Sequence, residues 1–142
     1  MIKIGTRIKV IDNSGAKFGR CIGIYKNQEK AKLGDIILLT IKKIRPNKKV
    51  KKGEKHKAMV IRIKDPRARN LNNHSIWCET NAVVLLKKDS FDLLGTRILG
   101  PAFRELLPPK SKKVIIGGTR ASKKQFNMPS YKKVLALASY II

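Results

Sequence analysis

Apolar and polar residues alternate over the first ten positions of the chain. Two sets of side chains would fall on opposite sides of an extended backbone: Ile2, Ile4, Ile8 and Val10, and Lys3, Arg7 and Lys9. This period of two predicts a half-buried β-strand. The segment DNSG at residues 12–15 consists of residue types that favour turns, and KFGRCIGIY at residues 17–25 is again typical of a strand. The first 25 residues therefore predict a β-hairpin.

Further strand-like segments follow at short intervals up to residue 86. IILLTI at residues 36–41 is a nearly unbroken apolar run, as in a strand covered on both faces. HKAMVIRI at residues 56–63 is the next strand, and IWCE at 76–79 and AVVLL at 82–86 are two short ones. Five or six short strands separated by turn signals predict a small antiparallel barrel or sandwich. A barrel would remove the edges that apolar strands otherwise expose.

The pattern changes after residue 100. Pro101 occupies a favourable first position for a short helix over residues 101–107. Residues 108–130 contain three prolines and a glycine pair and predict mostly loop. Tyr131, Val134, Leu135 and Ala138 have helical spacing and predict a final helix over residues 131–139. We therefore expect a single domain of 142 residues, with a β-barrel over 1–100, the short helix, a basic segment over 108–130, and a C-terminal helix and tail over 131–142.

The formal net charge of +24 restricts the partners of this domain. Apolar residues make up 42 % of the chain, which is enough for a core, but so much like charge opposes the compact state. The usual partner is a polyanion: nucleic acid first, and an acidic membrane surface second. No apolar run reaches the ~18 residues of a membrane span, and the strand-like start does not resemble a targeting peptide. Cys21 and Cys78 are expected to be buried free thiols, which suits a reducing compartment.

Basic residues are concentrated around a predicted turn. Residues 41–64 contain eleven Lys and Arg and a single acid, Glu54. Lysines in such a bend can be solvated, but this density favours contact with phosphates, where lysine supplies charge and little sequence readout. The candidate phosphate-binding residues are Lys17, Arg20, Arg45, Lys48, Lys49, Lys51, Lys52, Lys55, Lys57, Arg67, Arg69, Lys110, Lys112, Lys113 and Arg120. No strand carries two aromatic residues at i and i+2, so recognition of folded RNA by shape and backbone fits better than base stacking.

No constellation of residues in the sequence indicates catalysis. His56 and His74 lack metal-ligand spacing, and the nine carboxylates form no close pair. His56 is expected to contact RNA or solvent, and the pair Gly117–Gly118 to act as a loop hinge. We predict no catalytic residue, no metal and no cofactor.

Several segments resemble one known family. They are VIDNSGAK (10–17), RPNKKVKKGEKHKAMVIR (45–62), NAVVLL (81–86), GTRILGPAFREL (95–106) and YKKVLALAS (131–139). In this order they resemble the universal large-subunit ribosomal protein numbered fourteen, in its bacterial and organellar form. The resemblance covers about 120 of the 142 residues.

The resemblance implies a five-stranded β-barrel with a short helical C-terminal part, bound to large-subunit rRNA beside other large-subunit proteins. It also implies a bridge to small-subunit rRNA and contact with a ribosome-silencing factor, which by motif position would fall on Thr96, Arg97 and Lys133. A plainer interpretation of Thr96 and Arg97 is the start of a strand packed on the last helix. Two alternatives of other classes remain: a free RNA chaperone or regulator, and a nucleic-acid enzyme.

The sequence departs from the family pattern in two places. Glu79 and Thr80 stand where the family usually has two aspartates, and residues 108–130 are an insertion. We expect the insertion to become ordered only in the assembled ribosome, with its cations on rRNA phosphates and Val114–Ile116 packed on the barrel or a neighbour. The chain has 24 Lys, 9 Arg and 18 Ile, a bias typical of A+T-rich genomes. Together these features predict a mitochondrial ribosome; the alternative is the cytoplasmic ribosome of a bacterium or of another organelle.

Overall fold

The computed structural model describes residues 1–25, 29–46, 50–64, 78–88, 90–103, 106 and 131–142. Five strands close into a barrel: β1 Arg7–Val10, β2 Ala16–Ile24, β3 Ile36–Ile44, β4 Lys55–Arg62 and β5 Ala82–Leu85. The C-terminal part comprises β6 Ile98–Ala102, helix α1 Tyr131–Leu137 and β7 Ala138–Ile141. The predicted five-stranded barrel with one short C-terminal helix is confirmed. None of the helical residues in the described ranges belongs to a helix long and apolar enough to cross a membrane.

A parallel pairing closes the barrel. Each strand from β1 to β5 pairs with the next in antiparallel fashion, and β1 then pairs with β5 in parallel through Lys9↔Ala82 and Val10↔Val83. Alternate side chains point inward and form the main core, with Ile8, Leu39 and Val60 among its members. Because closure leaves β1 to β5 without a free edge, apolar strands of this length remain protected.

A second apolar cluster covers the outer face of β4 and β5. Met59 and Val84 are completely buried there against Ile98 of β6 and Val134 of α1. This second layer explains why every residue of β5 is buried, since the strand packs on the barrel interior with one face and on the C-terminal part with the other. The C-terminal elements are therefore part of the packed fold, and they fix the position of β6.

Four details differ from the sequence prediction. Ile36, Leu38 and Thr40 remain partly exposed, so the expectation that β3 is covered on both faces is wrong; β5 has that role. Ile4 is 66 % exposed, because a turn with Gly5 at φ +88° precedes β1.

At the C-terminal end, Pro101 and Ala102 lie in β6 where the short helix was expected to begin. Pro101 follows Gly100, at φ +86°, within a register shift of β6, which is the kind of position a strand tolerates for proline. The final helix ends at Leu137, because the next four residues pair in parallel with β6.

Candidate nucleic-acid interface

Basic side chains from three strands, with Thr40 of β3 between two of them, lie in a row on the outer surface of the barrel. Arg7 of β1 pairs with Arg20 of β2, Arg20 pairs with Thr40 of β3, and Thr40 pairs with Lys55 of β4. The three basic residues of this row are exposed. Since paired strands lie about 4.8 Å apart, Arg7 and Arg20 are direct neighbours of like charge.

A second row lies beside the first. Lys9 pairs with Phe18, and Phe18 pairs with Lys43. The Arg7 guanidinium stacks over the Phe18 ring with its central carbon 4.2 Å from the ring centroid, which orients one cation of the neighbouring row. We call the basic residues of the two rows, together with the neighbouring Lys17 and Arg45, the cationic face: Arg7, Lys9, Lys17, Arg20, Lys43, Arg45 and Lys55.

The described residues supply no ion-pair partner for the cationic face. Within the described residues, the ion pairs join Glu54 to Lys88 and His56, and Asp92 to Lys133, and none includes a residue of the cationic face. Like charges directly opposite each other on paired strands are destabilising. An arrangement of this kind becomes favourable when a polyanion supplies the opposite charge.

Lys51 and Lys52, in the described part of the hairpin between β3 and β4, have no ion-pair partner among the described residues either. Lys51 and Lys52 are exposed before Gly53, whose φ of +87° makes the bend. Glu54 accepts a hydrogen bond from the Lys51 backbone N–H at 3.2 Å and pairs with Lys88 Nζ at 2.7 Å. These contacts, with Lys88 the larger cause, lower the pKa of Glu54 to about 2. The Glu54 carboxylate thus pairs with the Lys88 side chain. The side chains of Lys51 and Lys52 remain exposed and can bind an external anion.

Two predicted contact residues turn out to be engaged within the protein. Lys57 Nζ donates to the Lys88 carbonyl oxygen at 3.1 Å and lies 5.0 Å from the centroid of the Phe91 ring, so it is the weakest of the described phosphate-binding candidates. His56 is only 5 % exposed, and the expectation that it contacts RNA or solvent is wrong. Strand alternation turns its ring inward, where Nε2 lies 3.3 Å from Glu54 Oε2.

The DNSG turn fixes the backbone at residues 95–97. The Asn13 side-chain Oδ1 accepts hydrogen bonds from the backbone N–H groups of Thr96 at 2.8 Å and Arg97 at 3.3 Å, and its Nδ2 donates to Thr96 Oγ1 at 2.9 Å. A Cβ atom on Gly95 would lie 2.8 Å from Asn13 Oδ1, so glycine permits this approach. The buried Asp12 carboxylate accepts from the Leu85 N–H at 2.8 Å and from the backbone N–H and hydroxyl of Ser14.

These hydrogen bonds between the DNSG turn and residues 96 and 97, which we call the Asn13 interlock, leave the predicted contact residues on the surface. Thr96 and Arg97 are exposed just before β6, and Lys133 is exposed on α1, paired with Asp92 at 3.3 Å. The exposure is what a contact with another molecule requires.

Sequence reasoning missed three members of the cationic face. Arg7, Lys9 and Lys43 were not among the candidate contacts, although the alternation in residues 1–10 already placed Arg7 and Lys9 on the polar side of β1. Eight of the predicted contacts fall outside the described residues: Lys48, Lys49, Arg67, Arg69, Lys110, Lys112, Lys113 and Arg120.

The described residues contain no grouping of three or more His, Cys, Asp or Glu side chains that could hold a metal ion. Cys21 is buried and Cys78 partly buried, and both are free thiols. Burial raises the pKa of each thiol, so neither resembles an activated nucleophile.

A closed five-stranded barrel, with a cationic outer face that has no ion pair among the described residues, defines a small basic β-barrel protein. The particular family follows from the sequence match: the family model Ribosomal protein L14p/L23e matches residues 1–122, and the chain belongs to this family. Members of the family are structural, non-enzymatic constituents of the large ribosomal subunit that associate with rRNA and other ribosomal proteins. The match ends inside the segment that the sequence predicts to be an insertion.

Proposed function

We propose that the cationic face binds the phosphate backbone of large-subunit rRNA and so holds this protein in the subunit. The observation that supports this most directly is the placement of Arg7 opposite Arg20, with no ion pair to either residue among the described side chains. Phosphate binding removes the repulsion between these residues and releases counterions from the RNA. The exposed Lys51 and Lys52 extend the same surface toward the hairpin.

The salt dependence of binding tests this proposal. If about 8 phosphates are neutralised, log affinity for large-subunit rRNA should fall against log salt with a slope of about −6 to −7. The triple variant K9Q/R20Q/K55Q removes three charges from the cationic face and should flatten that slope by about 2 to 3.

A matched control removes the same charge elsewhere. Lys32, Lys87 and Lys132 are exposed and lie outside the cationic face. The variant K32Q/K87Q/K132Q should leave most of the slope intact. Equal effects of the two triple variants would mean that only total charge matters, and the cationic face would lose its assignment. Retention of the wild-type protein on large subunits through a high-salt wash distinguishes a structural constituent from a free RNA chaperone.

We further propose that Thr96, Arg97 and Lys133 meet small-subunit rRNA at an intersubunit bridge, or a ribosome-silencing factor. Support comes from their exposure and from the Asn13 hydrogen bonds that hold residues 96 and 97 in place. The reversal R97E should reduce subunit joining, or silencing-factor binding, while incorporation into large subunits stays normal. If R97E instead prevented incorporation into large subunits, Arg97 would be assigned to a contact within the large subunit.

For the location, we propose a mitochondrial ribosome. The excess of 24 Lys over 9 Arg, with 18 Ile, supports translation from an A+T-rich genome. Mass spectrometry of purified organellar and cytoplasmic ribosomes from the source cell tests this. Recovery of the protein only from cytoplasmic ribosomes would favour the bacterial alternative.

A further inference from the structure

Arg62 has an unusual position for a basic residue of this chain. It lies at the end of β4, where its Nη2 donates to the Leu99 carbonyl oxygen at 3.0 Å. Its Nε is buried without a hydrogen-bond partner. Burial lowers the pKa of this guanidinium, and none of the carboxylates in the described ranges pairs with it. A partly buried cation without an anionic partner is costly, because desolvation is not offset.

Arg62 lines a groove with three other basic residues. The groove has a volume of about 400 Å³, and its basic lining residues are Lys9, Lys17, Arg45 and Arg62. No acidic side chain of the described residues lines it, and Phe18 and the exposed Leu99 also lie along its wall. Apolar walls reduce the local dielectric, so the four cations act more strongly on an anion here than on the open surface.

The backbone beside Arg62 is shaped to accept its guanidinium. Gly100 adopts φ +86°, and a Cβ atom there would lie 3.3 Å from Nη1 and 3.4 Å from Nη2 of Arg62. Glycine therefore lets the guanidinium lie against β6, where the Leu99 carbonyl holds one end of it. Nη1 has no hydrogen-bond partner among the described residues, so one end of the planar group is held and the other can receive a ligand.

We propose that this groove is a specific anchor for one phosphodiester group of rRNA, bound by the Arg62 guanidinium with Lys9, Lys17 and Arg45 around it. The inference rests on the proposed rRNA binding and adds a single site to it. Four cations without an acid favour the backbone of a nucleic acid, which brings successive phosphates, over a lone protein carboxylate. A planar guanidinium held on one side also suits the tetrahedral oxygens of a phosphate better than a mobile ammonium does.

The first test uses the free, full-length protein and inorganic phosphate. Titration at low ionic strength, followed by the arginine Nε–H signals in NMR, should shift the Arg62 signal in a saturable way and leave that of Arg97, which does not line the groove, unchanged. Acetate at the same ionic strength should have a smaller effect. An Arg62 signal that does not move, or that acetate moves equally, would overturn the phosphate anchor, the latter in favour of a protein carboxylate.

The second test measures affinity for protein-free large-subunit rRNA. R62Q should weaken binding about 10- to 100-fold, as expected for loss of a hydrogen-bonded charge contact, and reduce the salt slope by about 1. R62K keeps the charge but loses the planar group, and should retain the salt slope while recovering only part of the affinity. A loss of affinity with an unchanged slope in R62Q would indicate that Arg62 acts only on the fold.

A second variant guards against misfolding of R62Q, which also loses the bond to Leu99. K9Q/R45Q leaves that bond in place and should weaken the phosphate-induced shift of the Arg62 signal. The variant R20Q/K55Q separates this proposal from the broader one. If R20Q/K55Q weakens rRNA binding but R62Q and K9Q/R45Q do not, the anchor is wrong and rRNA binding stands. If none of the three variants matters, both proposals fail.

Discussion

At the scale of single residues, Gly19 shows how closely the barrel strands are packed. Gly19 lies in β2 and faces the barrel interior, where a Cβ atom would come within 2.5 to 2.8 Å of three carbons of the Leu39 side chain. Gly23 on the same strand has much more room, since the nearest atom to a Cβ added there, Leu38 Cβ, would be 3.8 Å away. The two glycines thus form a natural comparison.

We predict that Gly19→Ala destabilises the protein by about 1–3 kcal/mol, because the added methyl group forces Leu39 out of its packed position. Gly23→Ala should change the free energy of unfolding by less than about 1 kcal/mol, since its methyl group meets only ordinary contacts. Urea denaturation of both variants provides the measurement. Equal stabilities would show that Leu39 can move at little cost.

Asn13 supplies the second residue-scale prediction. Its amide makes three hydrogen bonds to Thr96 and Arg97 across 83 and 84 positions of the chain. Asn13→Ala should destabilise the protein by about 0.5–1.5 kcal/mol, because two backbone N–H groups at an exposed site exchange their side-chain partner for water. In hydrogen exchange, the amides of residues 96 and 97 should lose protection while those of β3 keep theirs. Unchanged exchange at 96 and 97 would contradict the proposed interlock.

At the scale of elements, the hairpin between β3 and β4 depends on one carboxylate. Glu54 joins the backbone of Lys51 to the side chain of Lys88, and its pKa is lowered to about 2 from an ordinary value of 4.5. A lowered carboxyl pKa means that the charged form stabilises the fold. That contribution is fully present above about pH 4.5 and is lost as the pH falls toward 2.

We predict that Glu54→Gln lowers stability at neutral pH, and that the difference from the wild type shrinks as the pH falls from 4.5 toward 2. Thermal unfolding of both proteins across this range checks the sign. Asp92→Asn serves as the control, because its pair with Lys133 is more than half exposed on both sides and contributes little. A difference between Glu54→Gln and wild type that persists at the lowest pH would have another origin.

Alternation predicted most elements of the barrel, because one face of each strand must be apolar. Alternation correctly placed Arg7 and Lys9 on the outside of the barrel. It would also have placed His56 inside, because His56 lies two and four positions before the inward-facing Ala58 and Val60. The parallel pairs β1–β5 and β6–β7 were beyond this reasoning, since they join distant segments. The same is true of Ala138 to Ile141, whose strand depends on pairing with β6. Arg62 became a candidate only when β6 brought Leu99 and Gly100 beside it.

At the scale of the whole molecule, the barrel has two different outer surfaces, one of them cationic and the other apolar and covered. The cationic face lies on β1 to β4, whereas the outer face of β4 and β5 is sealed by the C-terminal elements. The packing of α1 on β6 uses Val134 and Ile98. Residues 107–130 lie outside the described residues, so their predicted ordering in the ribosome is untested.

Residues 108–130 form the basic segment that the sequence predicts to be an insertion. Six basic residues and no acid lie between positions 110 and 128: Lys110, Lys112, Lys113, Arg120, Lys123 and Lys124. Deletion of residues 110–128 should leave the melting temperature of the free protein nearly unchanged, because the sequence predicts this segment to be an insertion that the family pattern lacks. The deletion should weaken incorporation into large subunits, or retention at high salt, because cations that meet rRNA phosphates are lost. A full-length variant with these six residues changed to Gln keeps the length and removes only the charge, so it should reproduce the defect. If the deletion variant assembles and survives the high-salt wash as well as the wild type, the insertion is a passive connection between β6 and α1.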